Sequence, residues 1–358
     1  MTADTMGGLW TYSVDLARSL EPHGVSVSLA TMGRPATAQQ RRDLRAVRGA
    51  DLHESPYKLE WMPDPWEDVE AAGQWLLELE QRLEPDVVHL NNFAHGALAW
   101  RAPAVVVGHS CVLSWWAAAK RTVLPSDWAR YAAEVRRGLQ AAGLVVAPSA
   151  AMLDELERYY GPLPRRRVVY NGRSAGCFQP LTKTPLVLTV ARLWDEAKNM
   201  ALLDQVAAAL PWRVAAAGDN RHPDGHLVQA KNIELLGQLD PPTLGRWLGR
   251  TAIYALPARY EPFGLSAVEA ALAGCALVLG DIPSLREVWG DTALFVGPDD
   301  ARALRAAIEL LIENPQRRKS YAARARQRAL RLTPERMAGG YLRAYAELLK
   351  EDDAACAS

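Results

Sequence analysis

The chain has few cysteines, no net charge and no long apolar run. Its four cysteines lack CxxC spacing and neighbouring histidines, which argues against a zinc site or a disulfide framework. Lys plus Arg and Asp plus Glu both number 41, so no global positive field attracts nucleic acid. No run of about 18 apolar residues occurs, and the start of the sequence lacks the pattern of a signal peptide. We therefore expect a cytoplasmic protein with reduced thiols and no nucleic-acid partner.

The length and the alternation of elements predict two α/β domains. A chain of 358 residues is too long for one ordinary core and fits two domains. Short apolar segments alternate with helical patterns in both halves, which is typical of parallel sheets covered on both faces. Prolines and small residues between 173 and 185 separate residues 1–173 from residues 174–333. The prediction is two doubly wound, Rossmann-like domains facing across a cleft, with ligands at the carboxyl ends of strands.

Several segments carry local predictions. Prolines predict irregular structure from Asp51 to Pro65. One helix is predicted from Ser126 to Ala142, with Ser126 as its cap, and another from Glu196 to Leu210. The apolar segment Leu113–Trp116 has two interpretations: a rim that contacts the inner face of a membrane, or tryptophans packed inside a cleft wall.

The most informative segment runs from Arg259 to Glu269, where an apolar strand gives way to a loop and a helix start. Glu261 precedes a proline in the loop, where its two carboxylate oxygens could hold sugar hydroxyls. Gly264 lets backbone approach a ligand, and the N–H groups of the helix start suit a phosphate. Ser266 and Glu269 have the spacing of a capping box, so Glu269 has a structural interpretation beside a ligand-binding one.

A second loop places two cations near a strand end. Arg192 follows an apolar strand and Lys198 comes six residues later, in the predicted first turn of a helix. A cation there opposes the helix dipole unless an anion is present. That anion is either a neighbouring carboxylate, Asp195 or Glu196, or a bound diphosphate held by both cations.

The histidines give weaker signals. His109 ends an apolar strand and is either a packed, hydrogen-bonding residue or a catalytic one. Ser110 and Cys111 lack an oriented base other than His109, so a hydrolase triad is not supported. His89 and His95 lack metal-ligand spacing, and no metal site is predicted.

Together these residues resemble those of the family 4 glycosyltransferases, which have the GT-B fold. The resemblance spans nearly the whole chain. The matching residues are Gly7–Gly8 before a helix, His109, Arg192, Lys198 and the Glu261-Pro262-Phe263-Gly264-Leu265 segment leading to Glu269. The resemblance implies a retaining transfer of a hexose from a nucleoside-diphosphate sugar to the hydroxyl of an unidentified acceptor, with no cofactor and no essential metal.

The resemblance also implies roles for individual residues. Arg192 and Lys198, with the backbone of Gly264 and Leu265, match the donor diphosphate site. The donor sugar and ribose match Glu261, Phe263 and Glu269, and the N-domain loop matches Gly7 and Gly8. His109 matches the histidine near the reacting carbon, so it and Glu261 are the predicted catalytic residues.

Two features concern the ends of the chain. Residues 334–350 resemble the helix that crosses back to the N-terminal domain in this fold. The first strand of the family lies upstream of Gly7–Gly8 in the middle of the sheet, and only Thr2–Thr5 stand in its place here. Losing a central strand leaves unpaired backbone on both sides. The expectation is therefore that the natural start lies upstream and supplies about ten more residues of this strand.

Two alternatives stay open. A GT-B sugar-nucleotide epimerase or hydrolase needs acid and base carboxylates in the N-terminal half, which the pattern does not single out. A catalytically silent sugar-nucleotide-binding subunit belongs to a different class, and the presence of Glu261, Lys198 and His109 weighs against it. Release of nucleoside diphosphate only when acceptor is added distinguishes the three.

Overall fold

The structure of the chain, a computed structural model, describes residues 1–5, 7–222 and 225–356, with the side chains described as far as residue 350. It divides into two compact units. The first contains Met1–Ala117, Thr122–Gly172 and the segment from Pro334 onward, and the second contains Ala118–Arg121 and Arg173–Thr333.

The first 172 residues alternate strands and helices. Their strands are β1 Thr2–Asp4, β2 Val27–Met32, β3 Ala50–Glu54, β4 Val88–Leu90, β5 Ala104–Val107, β6 Leu144–Ala147 and β7 Arg166–Val168. Their helices are α1 Gly8–Leu20, α2 Ala38–Arg45, α3 Trp66–Leu83, α4 Val112–Ala119, α5 Ala129–Ala141 and α6 Ala150–Tyr160. Ser149 caps α6 by accepting a hydrogen bond from Met152 N at 3.2 Å, as its position before the helix predicts.

The strands of the first unit form two parallel sheets. The order is β1-β2-β3 in one and β4-β5-β6-β7 in the other. β1 and β4 belong to different sheets, and hydrogen bonds that involve side chains connect β1 to the residue after β4. Asn91 N donates to Thr2 Oγ1 at 2.8 Å, and Asn91 Nδ2 donates to Thr2 O at 2.7 Å. The polar backbone on this side of Thr2 is therefore partly satisfied by Thr and Asn side chains.

The second unit repeats the alternation around one sheet. Its strands are β8 Thr184–Val190, β9 Arg213–Ala217, β10 Glu234–Gly237, β11 Thr251–Leu256, β12 Ala276–Gly280 and β13 Leu294–Val296. Its helices are α7 Met200–Ala207, α8 Pro241–Arg250, α9 Leu265–Leu272, α10 Pro283–Trp289, α11 Ala301–Glu313 and α12 Pro315–Ala329. The strands are parallel in the order β10-β9-β8-β11-β12-β13. The carboxyl ends of β8 and β11 therefore lie side by side, which brings together the two loops predicted to bind ligand.

Buried apolar residues cover both faces of this sheet. Leu188, Tyr254 and Leu277 belong to one core cluster, while their chain neighbours Val187 and Ile253 belong to the other. This alternation explains why the strands read as continuous apolar runs.

Helix α12 is rich in arginine, and three of its guanidinium groups serve other helices. Arg326 donates to Leu272 O at the end of α9 (3.1 Å), Arg328 to Val288 O in α10 (2.7 Å) and Arg318 to Leu311 O in α11. Cations at carbonyl ends satisfy acceptors that have no partner within their helix and oppose the negative end of the dipole. Part of the positive charge of α12 thus serves contacts within the fold.

The chain ends in α13, Pro334–Cys356, which returns to the first unit. Met337, Ala338 and Tyr341 of this helix are buried in the same cluster as Trp10 and Leu16 of α1.

Some local predictions were wrong. Ala50–Glu54 form β3 and pair in parallel with β2, although irregular structure was predicted from Asp51; an edge strand with polar residues leaves little apolar signal. The predicted Ser126–Ala142 helix begins as a 3-10 turn at Ser126–Trp128, after Pro125, and Ser126 caps neither it nor α5. Leu113–Trp116 lie in α4, with both tryptophans partly buried.

Candidate functional site

The site in the second unit is built on the loop after β11. The turn into α9 is made by Gly264, whose φ of 88° lies in the left-handed region. A Cβ at this position would lie 3.2 Å from Leu285 Cδ2, so both the backbone conformation and the space favour glycine. The first N–H groups of α9 have no acceptor within the helix.

Glu261 holds the loop in shape. Its Oε1 accepts hydrogen bonds from Gly264 N at 2.9 Å and Phe263 N at 3.4 Å, and its carbonyl accepts from Ser284 Oγ at 2.6 Å. Only a ligand-binding role was predicted for Glu261, but its carboxylate also has a structural role, because it accepts from the N–H of Gly264, the N-cap residue of α9. The carboxylate therefore occupies backbone donors that would suit an anionic ligand.

Lys198 is the partner of Glu261. Lys198 Nζ lies 3.0 Å from Glu261 Oε2 and 3.1 Å from Tyr260 O, and its side chain is only 10% exposed. The single helix predicted from Glu196 is divided, because Asn199 is left-handed at φ 58° between a 3-10 turn, Glu196–Lys198, and α7. Lys198 thus precedes α7 instead of lying in its first turn, and neither Asp195 nor Glu196 is its anion.

Arg192 is engaged close by in a separate pair. Its Nη2 lies 2.9 Å from Asp195 Oδ2, and its guanidinium stacks 5.2 Å from the centroid of the Trp194 ring. Asp195 is buried and also accepts from Ala197 N at 3.0 Å, which fixes the turn. The guanidinium remains about half exposed. Within the described part of the chain, no hydrogen bond joins Arg192 to Lys198.

Glu269 pairs with an arginine that the sequence reading missed. Arg173 Nε donates to Glu269 Oε1 at 2.7 Å, and both side chains are almost buried. The predicted capping box is wrong, because Gly264 is the N-cap residue and Ser266 Oγ lies 2.8 Å from Tyr254 OH. Arg173 gave little signal because it lies 96 residues away, in a segment that reads as a domain boundary.

Two other predicted donor-site residues contribute differently. The Phe263 side chain is 2% exposed and belongs to the core beneath the loop. Leu265, the first residue of α9, is partly buried against the same core. Because both side chains pack against the core, Phe263 and Leu265 can offer a ligand only their backbone N–H groups at the start of α9.

In the first unit, Gly7 and Gly8 open α1. Gly7 is the N-cap residue, with φ 65° and ψ −145°, and among the described residues, its chain neighbours aside, no atom lies within 4 Å of a Cβ placed there. Gly8 is the first helical residue, and both glycines are exposed. The backbone conformation therefore explains glycine at position 7, and the start of α1 is exposed.

His109 follows β5 in the same unit. Its Nε2 lies 2.8 Å from Asn91 Oδ1, and its ring packs edge-on against Tyr12 with centroids 4.5 Å apart. Burial lowers the pKa of His109 to about 3, so the imidazole is neutral at physiological pH. No role was predicted for Asn91 from the sequence.

The described residues show no metal cluster, membrane-spanning helix or disulfide. No group of three His, Cys, Asp or Glu side chains there could hold a metal ion. None of the described helices combines the length and apolar character needed to span a bilayer. Among the described side chains, Cys111, Cys177 and Cys275 form no disulfide, and the side chain of Cys356 lies outside the described residues.

Solved structures share this fold over nearly the whole chain. Sucrose-phosphate synthase from Thermosynechococcus elongatus has a TM-score of 0.81 and 18% identity, covering 98% of this chain and 96% of that one. Anabaena HepE in complex with UDP-glucose has a TM-score of 0.73 and 17% identity, covering 97% and 96%. The two parallel-sheet units thus make a GT-B fold, as predicted.

The sequence comparisons define the family. Residues 6–175 match Glycosyltransferase Family 4, and residues 178–328 match Glycosyl transferases group 1. Glycogen synthase from Mycobacterium tuberculosis is 28% identical over 82% of this chain and 78% of its own length. D-inositol 3-phosphate glycosyltransferase from Kineococcus radiotolerans is 27% identical over 90% and 86%. The chain belongs to glycosyltransferase family 4 and is an enzyme that transfers sugars.

Proposed function

We propose that this enzyme transfers a sugar from a nucleoside-diphosphate sugar to an acceptor hydroxyl, with retention of configuration and without a metal. One observation carries the proposal: Lys198, Glu261 and the start of α9 form one hydrogen-bonded cluster at two adjacent strand ends. A cation and a helix N-terminus suit a diphosphate, and a carboxylate suits sugar hydroxyls.

Donor binding would exchange partners within this cluster. A diphosphate at Lys198 and at the N–H groups of α9 competes with both oxygens of Glu261. The carboxylate is then released toward donor hydroxyls, while the phosphate oxygens take the positive groups. Arg192, half exposed beside this loop, supplies a second cation. Glu269, held by Arg173, is the proposed acceptor for the ribose hydroxyls.

The same groups account for leaving-group departure. As the bond between the anomeric carbon and the phosphate oxygen breaks, negative charge grows on the nucleoside diphosphate. Lys198, Arg192 and the positive end of α9 stabilise that charge, which is the task a metal performs elsewhere. The acceptor oxygen forms the new bond on the face that the phosphate leaves, and its proton passes to the departing phosphate oxygen. Configuration is thereby retained.

The relatives agree with this donor class. HepE was solved in complex with UDP-glucose and with UDP, and the curated relatives include a glycogen synthase and D-inositol 3-phosphate glycosyltransferases. These proteins support a nucleotide-linked hexose as donor and provide two acceptors to try, glycogen and D-inositol 3-phosphate. Cytoplasmic location and contact with a membrane surface remain predictions.

The test measures release of nucleoside diphosphate. Hexoses linked to UDP, GDP and ADP are screened by thermal shift, and the best donor is incubated with each acceptor. Release that requires acceptor, is unchanged by EDTA and gives a product with the anomeric configuration of the donor is expected. Release without acceptor would indicate a hydrolase. Inverted product would overturn retention, and loss of turnover in EDTA would overturn metal independence.

A further inference from the structure

A chain of hydrogen bonds connects α13 to His109 within the first unit. Tyr345 OH lies 2.6 Å from His89 Nδ1, and His89 Nε2 lies 3.1 Å from Asn91 Oδ1. The same Asn91 oxygen lies 2.8 Å from His109 Nε2. Asn91 therefore contacts one ring nitrogen of each histidine through a single atom.

The direction of every bond follows from one backbone carbonyl. Thr2 O can only accept, and it lies 2.7 Å from Asn91 Nδ2, so that atom is the amide nitrogen. The other side-chain atom is then the carbonyl oxygen, which accepts from both histidines. His109 and His89 must each carry a proton on Nε2 to donate to this oxygen. The hydroxyl oxygen of Tyr12, 3.3 Å from His89 Nε2, is then a second, longer acceptor of the His89 proton. His89 Nδ1 is left as an acceptor, so Tyr345 OH donates to it.

A second branch, leading away from Thr2, is consistent with this direction. Thr2 Oγ1 accepts from Asn91 N and therefore donates its own proton to Asn92 Oδ1 at 2.9 Å. Asn92 Nδ2 then donates to His95 Nδ1 at 2.6 Å. His95 Nε2 donates to Val69 O at 2.9 Å, which again can only accept. Each hydrogen bond along this branch, from Asn91 N to Val69 O, thus has one donor and one acceptor.

The consequence for His109 is that Nδ1 is the nitrogen without a proton. Among the described residues, Nδ1 has no hydrogen-bond partner, and the His109 side chain is partly exposed. A neutral ring held in this tautomer offers a lone pair at Nδ1 and can accept a hydrogen bond from a hydroxyl group. It cannot donate one from that atom.

We propose that Asn91 is a positioning residue that fixes His109 in the Nε2-protonated tautomer, with His89 and Tyr345 holding Asn91 in turn, so that Nδ1 accepts from a substrate hydroxyl. The part of this proposal that concerns substrate rests on the proposed transferase function. The tautomer itself does not, because it follows from contacts within the first unit.

Other titratable groups surround the pair of histidines. Burial raises the pKa of Tyr12 and Tyr345 well above the ordinary value, with smaller contributions from neighbouring tyrosines, and burial raises that of Tyr341 as well. Burial lowers the pKa of His89 to about 3 and that of the Met1 amino group to about 5. Between pH 6 and 9 or so, these groups keep one protonation state.

The first experiment reads the tautomer without using activity. The full chain, labelled with ¹⁵N histidine, is studied by long-range proton–nitrogen NMR, and His109→Gln identifies the His109 signals. A protonated Nε2 and a bare Nδ1 are expected from pH 6 to 9. An Nδ1-protonated ring in the wild-type protein would overturn the proposal, whatever its activity.

The second experiment changes the partner. Asn91→Asp keeps an acceptor for Nε2–H but places a carboxylate beside the ring, which raises the pKa of His109. Activity should then be lost as pH falls through the raised pKa and recover at higher pH. Asn91→Ala removes the acceptor and should lower kcat about 10-fold or more at every pH, with the donor KM unchanged. Tyr345→Phe, which disturbs less of the buried network, should lower kcat in the same way by a smaller factor.

Asn92→Ala is the matched control. Asn92 is the adjacent residue, is buried and also loses two side-chain hydrogen bonds, yet it does not contact His109. Its tautomer signals and pH profile should be those of the wild type. If Asn91→Ala keeps the wild-type tautomer and kcat, or if Asn91→Asp keeps the wild-type pH profile, the proposal fails. If wild-type protein shows the expected tautomer but no sugar transfer, the transferase function fails and the positioning by Asn91 stands.

Discussion

Lys198 and Glu261 form an ion pair across two adjacent strand ends, with Nζ 3.0 Å from Oε2. One residue follows β8 and the other follows β11, and these strands are neighbours in the sheet. The second oxygen of Glu261 caps α9 through Gly264 N. A single carboxylate therefore connects the cation, the strand ends and the helix start on which the proposed donor site depends.

Removing the Lys198 charge should abolish nucleotide binding. Lys198→Met keeps the apolar stem of a side chain that is only 10% exposed but leaves no cation for a diphosphate. Wild-type protein at a ligand concentration of 100 Kd gains about 2.7 kcal/mol of stability, and the variant should gain almost none. Thermal shift with UDP, GDP and ADP measures this.

Lys120→Met is the control for that substitution. Lys120 also pairs with a glutamate, Glu196, at 2.6 Å in the same unit, but it does not contact Glu261. Its nucleotide-dependent shift should equal that of the wild type. An undiminished shift in Lys198→Met would refute the diphosphate assignment.

Glu269 should discriminate ribose from its deoxy form. In the wild type, a nucleoside diphosphate should stabilise the protein more than its 2′,3′-dideoxy analogue, because the carboxylate accepts from the ribose diol. The Glu269→Gln variant should be stabilised equally by the two ligands. Thermal shift with the matched pair of nucleotides provides the comparison.

A variant of Arg173 distinguishes the ribose-binding role of Glu269 from its contribution to stability. Arg173→Gln removes the 2.7 Å partner of Glu269 and should lower the free energy of unfolding by ~3 kcal/mol, because a nearly buried carboxylate loses its counter-ion. The remaining carboxylate should still discriminate between the two nucleotides. Discrimination that survives in Glu269→Gln would show that another group reads the ribose.

Buried Glu60 should make stability depend on pH. Its carboxylate is 5% exposed and accepts from Phe93 N at 2.9 Å and Ala94 N at 2.6 Å. Burial raises its pKa from 4.5 to about 7, so the folded protein holds a proton that the unfolded chain releases near pH 4.5. Stability should therefore fall by up to about 3 kcal/mol as pH rises from 4.5 to 7.

Two variants test this assignment by chemical denaturation at several pH values. Residue 60 cannot titrate in Glu60→Gln. The plot of free energy of unfolding against pH should therefore lose the contribution of Glu60 to its slope, whatever the absolute stability of the variant. Glu80→Gln alters another buried carboxylate that accepts from backbone, at Arg101 N and Ala102 N, and keeps the Glu60 contribution because Glu60 is retained. A slope equal to that of the wild type in Glu60→Gln would assign the pH dependence to other groups.

Local patterns were sufficient to predict much of the fold. The long, unbroken apolar periodicity from Trp66 to Leu83 predicts a helix over these residues, and α3 has the same bounds. The loop after β11 was recognised because its special residues lie within one short segment. Whether Glu261 and Glu269 bind a donor remains a prediction.

What the sequence did not reveal depends on distant partners or on backbone conformation. Asn199 interrupts a good helical pattern by adopting φ 58°. Asparagine tolerates this left-handed conformation, but its presence in a sequence does not predict it. The partners Arg173 and Glu269 are far apart in the chain, and no spacing rule connects them. Similarly, the role of Asn91 depends on three elements that meet only in the folded first unit.

Two adjacent glycines of α13 should respond to alanine in opposite ways. A Cβ at Gly339 would meet only Arg343 Nη1, at 3.6 Å, whereas a Cβ at Gly340 would lie 2.7 Å from Val169 Cγ1. Gly339→Ala should raise the free energy of unfolding by about 0.5–1 kcal/mol, because glycine in a helix loses more backbone entropy on folding. Gly340→Ala gains the same entropy contribution, but its methyl group must displace the branched side chain of Val169. It should therefore lower the free energy of unfolding by ~1–3 kcal/mol. Urea denaturation of both variants measures the difference between their free energies of unfolding. Because the two substitutions share the same gain in helix propensity, this difference reports packing alone. Equal stabilisation by the two substitutions would mean that α13 does not pack against Val169 as closely as the structure shows.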